Sequence, residues 1–105
     1  GTVANDRTEA GAIGSVFGEK AASVPVSSTK SVHGHALGAS GALELVATLL
    51  AFKENKLPVN ANFIAPDPAC PINIVTETKP AQLKAAMSNS FAFGGINASL
   101  VVRRA

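Results

Sequence analysis

The sequence predicts an α/β fold, and three observations carry that expectation. A long helical pattern of small and apolar residues runs from His35 or Ala36 to about Glu54. Short runs rich in β-branched residues lie on both sides of it, at 23–28, 72–75 and 99–102. Between the helix and the later runs, Pro58, Pro66, Pro68 and Pro71 make a second long helix improbable. The order is β-α-β, yet the helix count is too low for a complete doubly wound domain.

Each element has its own signal. Residues 1–6 read as a loop, with Asp6 as a helix cap and Glu9 three positions later in a capping box. Ala10, Ile13, Val16 and Phe17 then mark one face of a short helix, which Gly18 closes. In residues 23–28, Val24 and Val26 share a face, and Pro25 argues against a central position in an antiparallel ladder. Residues 29–35 are expected as loop. In the long helix, Leu43, Val46 and Leu50 form one stripe, widened by Leu45, Leu49 and Phe52. Gly38 and Gly41 weaken that helix by roughly 1 kcal/mol each relative to Ala, so close backbone contact with a neighbour is expected there. Residues 57–71 are extended, 72–75 a short strand, 76–83 polar and exposed, and 84–90 a buried strand. Residues 91–95 turn sharply around Gly94 and Gly95, and Ser99 to Val102 form a last strand before Arg103 and Arg104.

Composition excludes several classes of function. One domain is the natural prior for 105 residues. Nine basic residues against seven acidic ones leave a formal charge of only +2. Arg103-Arg104 is an isolated basic pair with no interleaved aromatics, which is too little for a nucleic-acid surface. No apolar run approaches membrane-spanning length, and no signal peptide opens the chain. The single cysteine, Cys70, can form neither an internal disulfide nor a thiolate metal cluster. An unbridged chain suits a reducing compartment, so a cytoplasmic location is expected. Residue 1 is Gly rather than Met, which reads as a chain trimmed or cut from something longer.

Two runs carry chemistry. In Thr29-Lys30-Ser31-Val32-His33-Gly34-His35, a lysine and a histidine stand five positions apart, just before the long helix. A histidine handles protons near neutral pH. A neutral one can donate its Nε2 hydrogen to a developing oxyanion. From spacing alone, His35 is equally a residue that caps the helix, Lys30 an exposed loop lysine, and His33 a surface residue. Glu44 lies two and a half turns beyond His35, so it faces solvent or else faces Lys30, a cation or a partner backbone. In the second run, Phe93-Gly94-Gly95 offers backbone N–H groups at a sharp turn, which either hold an oxyanion or simply close a β-turn. Phe91 and Phe93 are candidates to line an acyl channel. The glycines follow neither phosphate-loop nor dinucleotide spacing. Cys70 has no adjacent base and no helix N-terminus to activate it.

These motifs closely resemble the C-terminal end of a β-ketoacyl-acyl-carrier-protein synthase, a condensing enzyme. Gly1-Thr2 with Asn5-Asp6 and Glu9 resembles the segment that follows the family's first catalytic histidine. Ser27-Ser28-Thr29-Lys30-Ser31, Gly34-His35, Gly38-Ala39, Gly41-Ala42 and Glu44 fit the lysine-to-second-histidine motif. Asn89-Ser90-Phe91-Ala92-Phe93-Gly94-Gly95 and Asn97 fit the closing glycine-rich motif. Three motifs in the right order are stronger than any one of them.

The resemblance implies part of the C-terminal half of a thiolase-like fold, with alternating α and β layers, so residues 1–105 form an incomplete C-terminal synthase domain. It implies decarboxylative Claisen condensation of malonyl-acyl carrier protein with an acyl thioester in fatty-acid biosynthesis, or in a related polyketide pathway. A non-catalytic chain-length-factor-like subunit is the other reading. By resemblance, His35 is the second catalytic histidine and Lys30 helps set the site's electrostatics. Phe93 belongs to the acyl pocket and its N–H to the oxyanion hole, with Gly94 and Phe91 beside it. Glu44 is a supporting residue, and with Ser88 and Asn97 it surrounds a monovalent cation; no other cofactor is implied. The partners are acyl carrier protein, the missing N-terminal half and a second copy of the protein. Nothing here matches the family's nucleophilic cysteine, and Cys70 lies in the wrong segment, so the isolated chain is expected to be inactive. Ala92 stands at a common glycine position, and His33 replaces a commonly small or hydrophobic residue.

Overall fold

The computed structural model describes residues 1–105. Helix α1 spans Val3–Phe17 and starts earlier than its spacing predicts. Thr2 is the cap, its Oγ1 accepting from the Asn5 N–H, so Asp6 and Glu9 fall inside the helix. Gly18 closes α1 as predicted, and a 3₁₀ segment, Gly18–Ser23, follows. Strand β1 is only Pro25–Val26 and pairs in parallel with β3, Asn73–Ile74. The Val75 N–H donates to Val26 O at 2.9 Å, and Val75 is the most deeply buried side chain.

The stretch expected as loop contains a one-turn helix, α2, at Lys30–His33. A 3₁₀ turn at Leu37–Ala39 leads into α3, Ser40–Glu54. Helix α3 therefore starts at Ser40 rather than at His35 or Ala36. Leu37 sits at φ +50°, in the left-handed region, and interrupts helical geometry before Ser40. At the other end α3 stops where expected. Asn55 adopts the left-handed conformation and its N–H donates to Ala51 O.

The connection after α3 has no helix, as its prolines require. Strand β2, Lys56–Leu57, pairs antiparallel with β4, Lys79–Pro80, which is exposed as expected for 76–83. Strands β5, Ala85–Phe91, and β6, Asn97–Arg103, form a seven-pair antiparallel hairpin from Ala85↔Arg103 to Phe91↔Asn97. The expected buried strand is thus present, but every residue of it is half-buried or exposed. One hairpin face carries Ala86, Ser88 and Ser90 toward α3, because a Cβ at Gly41 would lie 3.8 Å from Ser90 Oγ.

The orientation of α3 departs most from expectation. Its inward face carries Ser40, Gly41, Glu44, Leu45, Thr48, Ala51 and Phe52, while the stripe Leu43, Val46 and Leu50 is exposed. Both faces of this helix are apolar enough to be covered, a pattern found in helices buried between layers. The glycine expectation also fails within this chain. Nothing approaches a Cβ at Gly38, and the contact at Gly41 is an ordinary one. Only six residues are buried. The chain exposes 7509 Å², against about 5,500 Å² for a compact monomer of this mass. The excess of about 2,000 Å² is surface that self-contained domains cover. No helix is long and apolar enough to cross a membrane.

Candidate active site

The site is built on the corner between α2 and α3. The Ser31 hydroxyl fastens α2 to the proline-rich connection, donating to Ser28 O at 2.7 Å and accepting from the Ala61 N–H at 2.8 Å. Asn60 Oδ1 accepts from the Ser28 N–H at 3.1 Å. Gly34 ends α2 at φ +78° and ψ 177°, a conformation that side chains resist, and its N–H donates to Lys30 O at 2.9 Å. The chain thereby reverses between the two histidines.

Those histidines are held in opposite protonation patterns. At His33, Nδ1 lies 2.7 Å from Gly34 O, which can only accept, so Nδ1 carries the hydrogen. In its neutral form, Nε2 of His33 accepts from the Thr29 hydroxyl at 3.1 Å. At His35 the reverse holds. The Leu37 N–H points at Nδ1 from 3.0 Å and can only donate, so neutral His35 carries its hydrogen on Nε2. Ser40 Oγ lies 2.9 Å from the same Nδ1. No protein group bonds Nε2 of His35, and the residue is exposed in this chain. A neutral imidazole with a free Nε2–H is the form that donates to a developing oxyanion.

Lys30 pairs with Glu44 through Nζ and Oε1, which resolves the alternatives that spacing left open for both. The pair ties α2 to the inward face of α3. Its lysine side chain is 30% exposed and its glutamate 11%. Glu44 Oε2 is buried without a hydrogen-bond partner. That orphaned oxygen is the feature a cation would satisfy. The hairpin pleat, however, puts Ser88 and Asn97 on opposite faces, with Ser88 in register with Leu100 and Asn97 with Phe91. The three side chains therefore do not form one ligand set, and no step below is routed through a cation.

At the hairpin tip, Gly95 donates to Ala92 O at 3.3 Å and Ala92 to Ile96 O at 2.9 Å. The Phe93 and Gly94 N–H groups have no acceptor in the chain. Gly94 and Gly95, at φ +84° and +80°, allow this turn. The Phe93 side chain is fully exposed and Phe91 half-exposed, so neither lines an enclosed channel here. Ser90, near the tip, lies against Gly41 at the start of α3, the end that follows the His35 loop. Two surface recesses of about 260 Å³ each lie toward the other end of α3 and include none of these residues.

Cys70 is not an activated thiol. Partial burial, then the negative charge of Asp67 and a hydrogen bond to it, push the thiol's pKa up. Sequence reasoning missed Ser40 and also Arg104, whose Nη2 donates to Phe52 O at 2.6 Å and to Asn55 Oδ1 at 2.7 Å. A small hydroxyl residue at a helix start was the available signal for Ser40; a contact spanning half the chain leaves none for Arg104.

Comparison with known proteins identifies the family and the fold. The profile of the beta-ketoacyl synthase C-terminal domain matches residues 1–64. Nodulation protein E of Rhizobium leguminosarum bv. trifolii is 47% identical over 104 residues, covering 99% of this chain and 26% of that protein. The 3-oxoacyl-[acyl-carrier-protein] synthase 2 of Coxiella burnetii is 46% identical over 104 residues, covering 98% of this chain and 25% of that protein. A type II polyketide ketosynthase, solved in complex with its acyl-carrier protein and bound to the hexaketide, superposes with a TM-score of 0.95 at 35% identity, covering 99% of this chain and 26% of its own. The ishigamide ketosynthase/chain length factor gives 0.92 at 38% identity, covering 98% and 25%. The chain belongs to the beta-ketoacyl synthase family, and its mixed α/β architecture is that of the C-terminal part of the thiolase-like ketosynthase fold. It spans about a quarter of the length of the relatives it matches.

Proposed function

We propose that residues 1–105 are the C-terminal portion of a 3-oxoacyl-[acyl-carrier-protein] synthase that carries out decarboxylative condensation in fatty-acid biosynthesis. The observation that carries this reading is the engagement of His35 Nδ1 by a fixed backbone donor, which leaves Nε2–H free for an oxyanion. An upstream cysteine of the longer protein takes the acyl chain as a thioester. Malonyl-acyl carrier protein then loses carbon dioxide, and the electrons of the broken C–C bond form an enolate. The Nε2–H of His35, with a second histidine upstream, donates to the enolate oxygen. The carbanion attacks the acyl thioester, the cysteine leaves as thiolate, and a 3-ketoacyl thioester remains on the carrier protein. During that attack the unpartnered Phe93 N–H donates to the tetrahedral oxyanion, with Phe91 and Gly94 shaping the acyl pocket around it. Lys30 and Glu44 keep the His35 loop against α3. The intact protein works in the cytoplasm as a homodimer and meets acyl carrier protein through basic surface residues.

The test is condensation by the full-length protein. His35→Ala should lower the rate at least about 100-fold, the loss typical of removing one oxyanion donor. Full activity in that variant would remove His35 from the reaction. Similarity to the ketosynthase/chain length factor structure favours a second reading, a polyketide ketosynthase or its non-catalytic partner. An upstream cysteine that becomes acylated by an acyl thioester separates a catalytic subunit from such a partner.

A further inference from the structure

Ser40 is the one buried polar residue of the chain, at 6% exposure. It is the first residue inside α3, one position past the cap, Ala39. Ala39 has no polar side chain, so α3 has no side-chain cap. Ser40 Oγ reaches backward. It accepts from the Ala36 N–H at 3.0 Å and lies 2.9 Å from His35 Nδ1. Because the Leu37 N–H donates to that same nitrogen at 3.0 Å, Nδ1 is unprotonated and the hydroxyl hydrogen of Ser40 must point at it. Two donors thus converge on one ring nitrogen. One comes from the backbone two residues on, the other from a buried side chain anchored by a helix. The segment between them holds Leu37 in a left-handed conformation that costs roughly 1 kcal/mol or more, so something must hold it. The Ser40 bond to the Ala36 N–H is placed to do so.

We propose that Ser40 is a positioning residue for the condensation reaction: its hydroxyl fixes the plane of His35, whose tautomer the Leu37 N–H sets, and aims the Nε2–H at the substrate oxygen. This rests on the reading of His35 as the group that meets that oxygen. Orientation by a second hydrogen bond is what makes a donor effective without reorganisation. Losing one such bond predicts a change of about three- to tenfold in rate.

The test uses the full-length protein and malonyl-acyl carrier protein decarboxylation. Ser40→Ala should lower kcat about three- to tenfold with KM unchanged, and Ser40→Thr, which keeps the hydroxyl, should restore most of it. In parallel, ¹⁵N-histidine spectra of the resting wild-type protein should show His35, assigned by its loss in His35→Ala, with Nδ1 unprotonated and hydrogen on Nε2. In Ser40→Ala the Nδ1 signal should shift because one of its two hydrogen-bond donors is gone, while the Leu37 N–H keeps the hydrogen on Nε2. A wild-type His35 protonated on Nδ1 overturns the proposal, and that measurement needs no variant at position 40 to fold. Unchanged kcat in Ser40→Ala overturns it too, whatever the Nδ1 signal does. The two levels separate cleanly. An active His35→Ala removes the catalytic reading, whereas an inactive His35→Ala beside a fully active Ser40→Ala removes only the positioning role.

Discussion

Replacing Lys30 by Met should loosen the corner that carries His35, by an amount the ion pair itself sets. Lys30 Nζ is the only partner of the Glu44 carboxylate, whose other oxygen is already buried and unpartnered. Breaking a buried pair from one side costs about 3–5 kcal/mol. Lys30 retains 30% exposure, so the lower end applies, and about 2–3 kcal/mol is expected after partial rehydration. The readout is local hydrogen exchange in the full-length protein. The Gly34 N–H closes α2 onto Lys30 O, so its exchange reports opening of that turn. A cost of about 2–3 kcal/mol means exchange about 30- to 150-fold faster across residues 30–36. Glu44→Gln removes the stranded charge, so Lys30→Met with Glu44→Gln should recover all but about 1 kcal/mol. Unchanged exchange in Lys30→Met refutes the reasoning. A double variant as loose as the single one does so as well, because the penalty would then not be the buried carboxylate.

Two further perturbations test the frame around the site. Arg104→Ala removes charged donors from Phe52 O and Asn55 Oδ1. It should cost about 2 kcal/mol and speed exchange at the C-terminal turn of α3, where the guanidinium also complements the helix dipole; unaltered protection there would show the contact to be idle. Asp67→Asn should lower the pKa of the Cys70 thiol, because partial burial raises it and the Asp67 charge and hydrogen bond raise it further. A lower pKa means more thiolate, so iodoacetamide should label Cys70 faster at mildly alkaline pH in the variant. Equal labelling rates would assign the whole effect to burial.

Local chemistry was legible where one residue type decides the backbone. Gly18 ended α1, the prolines kept 57–71 free of helix, and Gly94-Gly95 closed the hairpin. The start of α3 was less legible, because Ser40 reaches back to Ala36 and Leu37 accepts a strained conformation, neither of which is written in a periodicity. The facing of α3 was misread for a definite reason. Hydrophobic period identifies a face that water should not touch, and α3 has two such faces. The richer one, Leu43, Val46 and Leu50, points out of this chain, while Ser40, Glu44 and Thr48 point in. Motif resemblance already singled out His35 over His33, but the opposite tautomers of the two rest on a carbonyl at one ring and an amide at the other. Backbone conformation decides that, so it emerges only from the fold.

The outward stripe of α3 also bears on how a polypeptide carrying this segment reaches its native state. While the stripe is uncovered, the chain also exposes Met87, Leu100 and Val101 of the hairpin. Copies in that condition can meet one another as readily as they meet their own remaining chain. Intramolecular docking is independent of concentration, whereas self-association grows with it. Refolding yield of the full-length protein should therefore fall as protein concentration rises, and replacing Val46 by a polar residue would shift which of the two processes wins rather than how the finished site works.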